Sequence, residues 1–267
     1  MIKNKIKLCF LLCILIACKN KKSSVNVNYN LEQSIKKSDF LGDSSYFQLV
    51  NTINTDSSLF QASSLEYSDQ DGKIYHCEAL IDRKKSIHKL TSIIKDTKKE
   101  VIDEFYYLNS KKRVSSRLIL DFLNETALFK QHISFFDTSE TLIYKGVKTY
   151  VTLDSSEAKR YVKTDEEVDF NDRIAKDIIQ QKGNFSTNFR GFAYLDMYNI
   201  DFIKVGSNDG NFNSLLAISE ESELIKRLKS NESTYIGKSL IVQFIKGREP
   251  DGFSFQKLID ISLANTD

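Results

Sequence analysis

The chain of 267 residues has no tryptophan, one proline, three histidines, ten glycines and four cysteines. Each scarcity excludes something. His76, His88 and His132 stand in no H-E-x-x-H arrangement, so the commonest zinc-hydrolase plan is missing. No G-x-S-x-G elbow is present, which removes the usual α/β-hydrolase layout. With so few glycines there is no dinucleotide-binding loop. Gly237-Lys238-Ser239 imitates the end of a phosphate loop, but Glu232 stands where the first glycine belongs and the strand follows the motif instead of preceding it. With Pro250 as the sole proline, turns fall to Gly, Asn, Asp and Ser. Charge of one sign is also lacking: 38 Lys and Arg face 36 Asp and Glu, which argues against a dedicated nucleic-acid binder.

Long apolar runs are equally scarce, and the one at the N-terminus is informative. Residues 1–17 read MIKNKIKLCFLLCILIA, with Lys3, Lys5 and Lys7 ahead of an apolar stretch from Leu8 to Ala17. That stretch is too short for a permanent membrane span and has the form of a signal-peptide core. Leu15-Ile16-Ala17-Cys18 and the polar KNKKSSVNVNYN follow. This order resembles the lipobox of bacterial lipoproteins. The resemblance implies cleavage before Cys18, a diacylglycerol on its thiol and an acyl chain on its new amine. Each buried CH₂ of such chains contributes roughly 0.8 kcal/mol, so two or three chains hold firmly. Lys19, in place of Asp, favours the outer membrane under the enterobacterial sorting rule. Cleavage would take three lysines and turn the formal charge of +2 into −1. It would also remove Cys9 and Cys13 and lipidate Cys18, leaving Cys77 as a lone cysteine in the strand-like IYHCEALI.

The expected organisation is therefore a signal peptide over 1–17, a lipid anchor and flexible tether over 18–44, and a folded region beyond. Over 45–154, short runs rich in β-branched and aromatic residues are separated by polar breaks. FQLVNTI, KIYHCEALI, EVIDEFYYLN and LFKQHISFFD are examples, and the pattern predicts an antiparallel meander. In IYHCEALI, His76 and Glu78 face one way and Tyr75, Cys77 and Ala79 the other. Residues 155–184 predict a linker and an amphipathic helix over about 165–182, with Thr164-Asp165-Glu166-Glu167 as a capping box and Gly183 as its terminator. Residues 185–264 predict a small barrel-like β region of OB or SH3-like kind. It carries a short helix capped by Ser219 and sealed by Leu224, Ile225 and Leu228. The fold class is thus α+β, mostly β.

No set of residues reads as catalytic, and none as a metal site. Asp196, Asp201, Asn208, Asp209 and Asn211 are oxygen donors, but their spacing around Gly210 fits no calcium loop, and a solvated turn explains them. Lys111, Lys112, Arg113 and Arg117 read as a solvated basic turn. The informative excess is aromatic, with 18 Phe and 12 Tyr. Core packing accounts for most of these rings, but tyrosines on a sheet face suit recognition of another molecule. Tyr106, Tyr107, Tyr194 and Tyr198 are the candidates. The function expected is a lipid-anchored, non-enzymatic envelope protein with no cofactor beyond its covalent lipid and no nucleic-acid partner. It would bind a protein, peptide or glycan. A structural role in an envelope complex is the alternative, and a hydrolase acting on envelope or extracellular substrate is a further one.

Overall fold

The computed structural model describes residues 44–122, 128–151, 160–249 and 251–264. The expected leader, Cys18 and the expected tether up to residue 43 lie outside them. Within the described residues the protein is mostly β, as expected. Fourteen strands form one mixed, unclosed sheet.

The meander is the long arm of this sheet. Strands β3 (Ile74–Ile81), β4 (Ile87–Lys95), β5 (Lys99–Leu108), β6 (Lys111–Asp121), β7 (Leu128–Phe136) and β8 (Leu142–Tyr150) pair antiparallel with sequential neighbours. β9 is the two-residue Val162–Lys163 at the far edge. On the other side of β3, β1 (Phe60–Ser63) and β2 (Tyr67–Asp69) share one edge, β1 beside residues 78–81 and β2 beside 74–75. The expected alternation holds. Cys77 and Ala79 are buried in the main core, and burial pushes the Cys77 thiol up to about 12.

One expected strand is a helix. FQLVNTI lies within α1 (Ser44–Thr55), where Tyr46, Val50 and Ile53 make a buried stripe at helical spacing. They cover Tyr106, Val114, Ile133 and Phe135 on one face of the meander. Beneath α1, Lys89 pairs with Glu104 at 2.7 Å and donates to Asn54 Oδ1 at 3.1 Å. Burial works against the Lys89 ammonium, but Glu104 outweighs it and holds the lysine pKa above its usual range.

The helix expected over 165–182 is much shorter: α2 spans Arg173–Ile179. Its N-terminal third is drawn instead across the sheet. Lys145 Nζ donates to the carbonyls of Asp165 and Glu166, and Lys130 takes the Glu166 carboxylate at 2.8 Å. Thr164 Oγ1 accepts the Glu166 N–H, so the supposed capping box is a local turn. The left-handed residue that directly follows the helix is Gln181, with φ of 54°; Gly183 is left-handed as well, at φ of 59°, and opens a 3₁₀ turn. Ala175 and Ile178 are buried on its inner side, and Ile174 is exposed.

The C-terminal strands β10 (Asn188–Leu195), β11 (Ile200–Gly206) and β12 (Phe212–Ala217) form a second meander. Helices α3 (Glu223–Ser230) and α4 (Glu232–Tyr235) follow, and then the hairpin of β13 (Leu240–Arg248) and β14 (Ser254–Leu263). The N-cap of α3 is Ser222, not Ser219: its hydroxyl accepts the Ile225 N–H at 3.3 Å. Leu224, Ile225 and Leu228 are buried as expected. β14 runs parallel to β12, and an isolated bridge links Asn188 to Ser239. The sheet stays open and takes in these strands together with the meander, so the expected small region is not a closed barrel. One core cluster joins both arms, from Leu90 and Phe105 in the meander to Phe189, Ile203 and Leu216 beyond.

Candidate functional site

The feature that positions a site is a fork in the sheet. The edge of β12 is shared by two strands. Phe212 and Asn213 pair with Asp69 and Ser68 of β2, while Leu216 and Ala217 pair with Gln256 and Lys257 of β14. Between the pairs the ladder opens, and the Gln256 side chain fills the gap. Its Oε1 accepts the Glu66 N–H at 2.8 Å, and its Nε2 donates to Ser214 Oγ at 2.9 Å and reaches the carbonyls of Glu66 and Leu215. A buried amide thus satisfies backbone groups from two branches, as buried polar groups require.

A groove of about 410 Å³ runs along this fork, within the size range of small-ligand sites. One wall is Glu66, Ser68 and Ile74 from β2, β3 and the segment before them; the floor is Phe202 and Leu215; Tyr194, Phe253 and Phe255 complete it. Glu66 is the one charged side chain among the lining residues. Ile74, Tyr194 and Leu215 are exposed, so the apolar surface is open to solvent.

The far wall is built by local chemistry. Asp251-Gly252 turns the β13–β14 hairpin, with Gly252 at φ of 97°. The Phe253 ring, just past the turn, stacks on Tyr198, with centroids 4.4 Å apart and planes within 8°, and on Phe255 at 5.9 Å. The Tyr198 hydroxyl donates to Asp251. That bond and the Phe253 N–H hold the Asp251 carboxyl below the usual carboxylate range. Tyr194 is fixed in the same way by donating to Asn199 Oδ1.

Two of the four candidate tyrosines therefore meet at this groove, one lining it and one backing its wall. The other two do not. Tyr106 and Tyr107 are 1% and 4% exposed, withdrawn from any partner. Strand alternation turns their side chains to opposite cores, where Tyr106 donates to Glu104 at 3.2 Å and Tyr107 to Asp172 at 2.6 Å. These aromatics face inward because α1 and the 164–185 segment cover both sides of the meander. Sequence reasoning missed Phe253, Phe255 and Gln256. The signal was the alternating FSFQ directly after a hairpin turn.

Comparison with known proteins gives no match. No family model, curated protein or solved structure aligns with the chain.

A second polar cluster adjoins the groove through Glu66. Lys246 on β13 lies 3.8 Å from Glu66 and 3.9 Å from Glu78, and its Nζ is 3.4 Å from His76 Nε2. Ser63 Oγ lies 3.4 Å from the same nitrogen. The bond from His76 is the chief cause that lowers the Glu78 pKa, against its burial. Among the described residues no group of three or more His, Cys, Asp or Glu is placed to hold a metal ion. No helix among them is long and apolar enough to cross a membrane.

Proposed function

We propose that the chain is a lipid-anchored envelope protein whose β-rich domain binds a peptide segment of a partner through the groove at the sheet fork. The lipobox resemblance at Cys18 supports the anchor. The observation that carries the binding reading is the groove lining: Ile74, Tyr194, Phe202, Leu215, Phe253 and Phe255 with Glu66 as the sole charge. Such a surface suits an aliphatic or aromatic side chain. A glycan would call for more polar groups than these walls offer, because each sugar hydroxyl removed from water needs a replacement partner. The rings backing the groove are held in place by Asp251 and Asn199, so little side-chain freedom is lost on binding.

Leu215→Asp is the direct test. It sets a charge on the apolar floor at an exposed position, where folding is spared. Peptides selected on the wild-type domain from a random display library are expected to carry a bulky apolar anchor. They should bind the variant at least about tenfold more weakly, a loss of about 1.4 kcal/mol. Selection of peptides without such an anchor, or equal binding by the variant, removes the groove from the function.

A further inference from the structure

We propose that Ser63 and His76 form a nucleophile–base pair able to cleave a carboxylic ester beside the groove. This goes beyond binding, and it rests on the polar cluster rather than on the apolar lining.

The pair is assembled by strand register. Ser63 on β1 is the cross-strand partner of Glu78 on β3, and His76 is two residues along the same strand. All three side chains therefore stand on one face. Ser63 is exposed, while His76 is buried. A surface hydroxyl thus meets a base held in the protein, with Oγ and Nε2 3.4 Å apart. That separation is looser than a full hydrogen bond, as is common before substrate is bound.

The neighbouring serine sets the imidazole tautomer. Ser64 Oγ spends its one proton on the Leu65 carbonyl at 2.7 Å and accepts the Cys77 N–H at 2.8 Å. Its contact with His76 Nδ1, at 3.4 Å, can then only be made with Ser64 as acceptor and Nδ1–H as donor. In neutral His76 the proton therefore sits on Nδ1, and Nε2 is left unprotonated, 3.4 Å from both Ser63 Oγ and Lys246 Nζ; its bond to Glu78 forms once Nε2 is protonated. Sequence gives no hint of this, because the orienting residue is a serine next to the nucleophile, not a distant carboxylate.

The remaining groups fit the charges that develop. When Ser63 Oγ attacks an ester carbonyl, its proton passes to Nε2 and the Oγ–C bond forms. Glu78 Oε1, 3.5 Å from Nε2 and steadied by Gln61, faces the imidazolium that results. The half-exposed Lys246 ammonium provides positive charge for the oxyanion. The C–O bond to the alcohol then breaks, and the alkoxide takes the proton from Nε2. Water, activated by the same nitrogen, adds to the acyl-serine and releases the acid, restoring the Ser63 hydroxyl. Glu66 belongs both to the lysine pair and to the groove wall, so the acyl chain of a hydrophobic ester is the portion the groove would take.

The test is covalent labelling. The folded protein is treated with a fluorophosphonate probe, which reacts with activated serines, and the adduct is mapped by mass spectrometry. Hydrolysis of p-nitrophenyl butyrate is followed in parallel. One adduct is expected, on Ser63. Ser63→Ala should abolish it, and His76→Gln should slow labelling by at least about 100-fold, with the melting midpoint of Ser63→Ala unchanged because that side chain is exposed. Ser64→Ala frees Nδ1 and should slow labelling while leaving the adduct on Ser63. No adduct on Ser63, or equal labelling rates in the wild type and His76→Gln, would overturn the proposal and leave the cluster as a polar bridge from β13 to β3. Peptide binding by the groove separates the two readings: an unlabelled protein that still binds its selected peptides fails the ester test alone.

Discussion

Tyr107 shows at the scale of one residue why an aromatic excess is hard to read. Its ring belongs to the main core, and its hydroxyl is spent on Asp172. Nothing in FYYL reveals that a carboxylate 65 residues away will take that hydroxyl. The pair has a consequence for acid stability. Burial opposes ionisation of Asp172, but bonds from Lys176 and Tyr107 outweigh it, and the folded pKa lies below the ordinary carboxylate value. A depressed acid contributes stability that is complete above its unfolded pKa of about 4 and is lost as pH falls through the folded value. Asp172→Asn should therefore lower the urea midpoint at pH 7, by the equivalent of about 1–2 kcal/mol. The gap to wild type should close as pH falls through that lowered folded value. A gap that stays constant from pH 7 to pH 2 would show that the charge is irrelevant.

Elements were legible where their signals were local. The hairpin turns at Asp71-Gly72, Asp209-Gly210 and Asp251-Gly252 follow from composition, and so do the meander strands with short polar breaks between them. The apolar face of α3 was equally plain. Elements set by distant partners were not. The segment holding FQLVNTI satisfies a helical stripe as well as a strand pattern, and the sheet it covers decides for the helix. The 164–171 stretch carries a sound capping box, yet Lys130 and Lys145 on neighbouring strands recruit it as a strap. At the candidate site, Tyr194 and Tyr198 were legible as aromatic display, but the fork that brings them to one groove depends on a glutamine joining segments 190 residues apart. Gln256→Leu keeps the volume and removes every one of those bonds. It should cost about 2–4 kcal/mol, since several backbone groups lose their partner together. Chemical denaturation measures this, and a loss under about 0.5 kcal/mol would mean that water replaces the amide.

At the scale of the whole molecule, the proposed N-terminal address and the folded body are read by different means. The proposed lipobox depends on the order of a few residues and needs no tertiary structure. In a bacterial host that processes lipoproteins, Cys18→Ser should abolish incorporation of labelled palmitate and shift the protein from the membrane to the soluble fraction. Unchanged fractionation would show that something other than a lipid holds it there. Between the fourteen strands one core cluster is shared, so the groove lies where two arms of one sheet diverge.

The β13–β14 hairpin is held together by nine residue pairs, whereas its ladder to β12 has only two. Its base is tied to β10, where Leu240 and Thr187 bond through their backbones. Its tip bears Phe253 beside the turn. Such a piece is stiffer within than at its attachment, so it pivots before it bends. The rings at the tip sit at the long end of that lever. A rotation at the base would be felt most at that end, and there Tyr198, bonded to Asp251 and stacked on Phe253, opposes it.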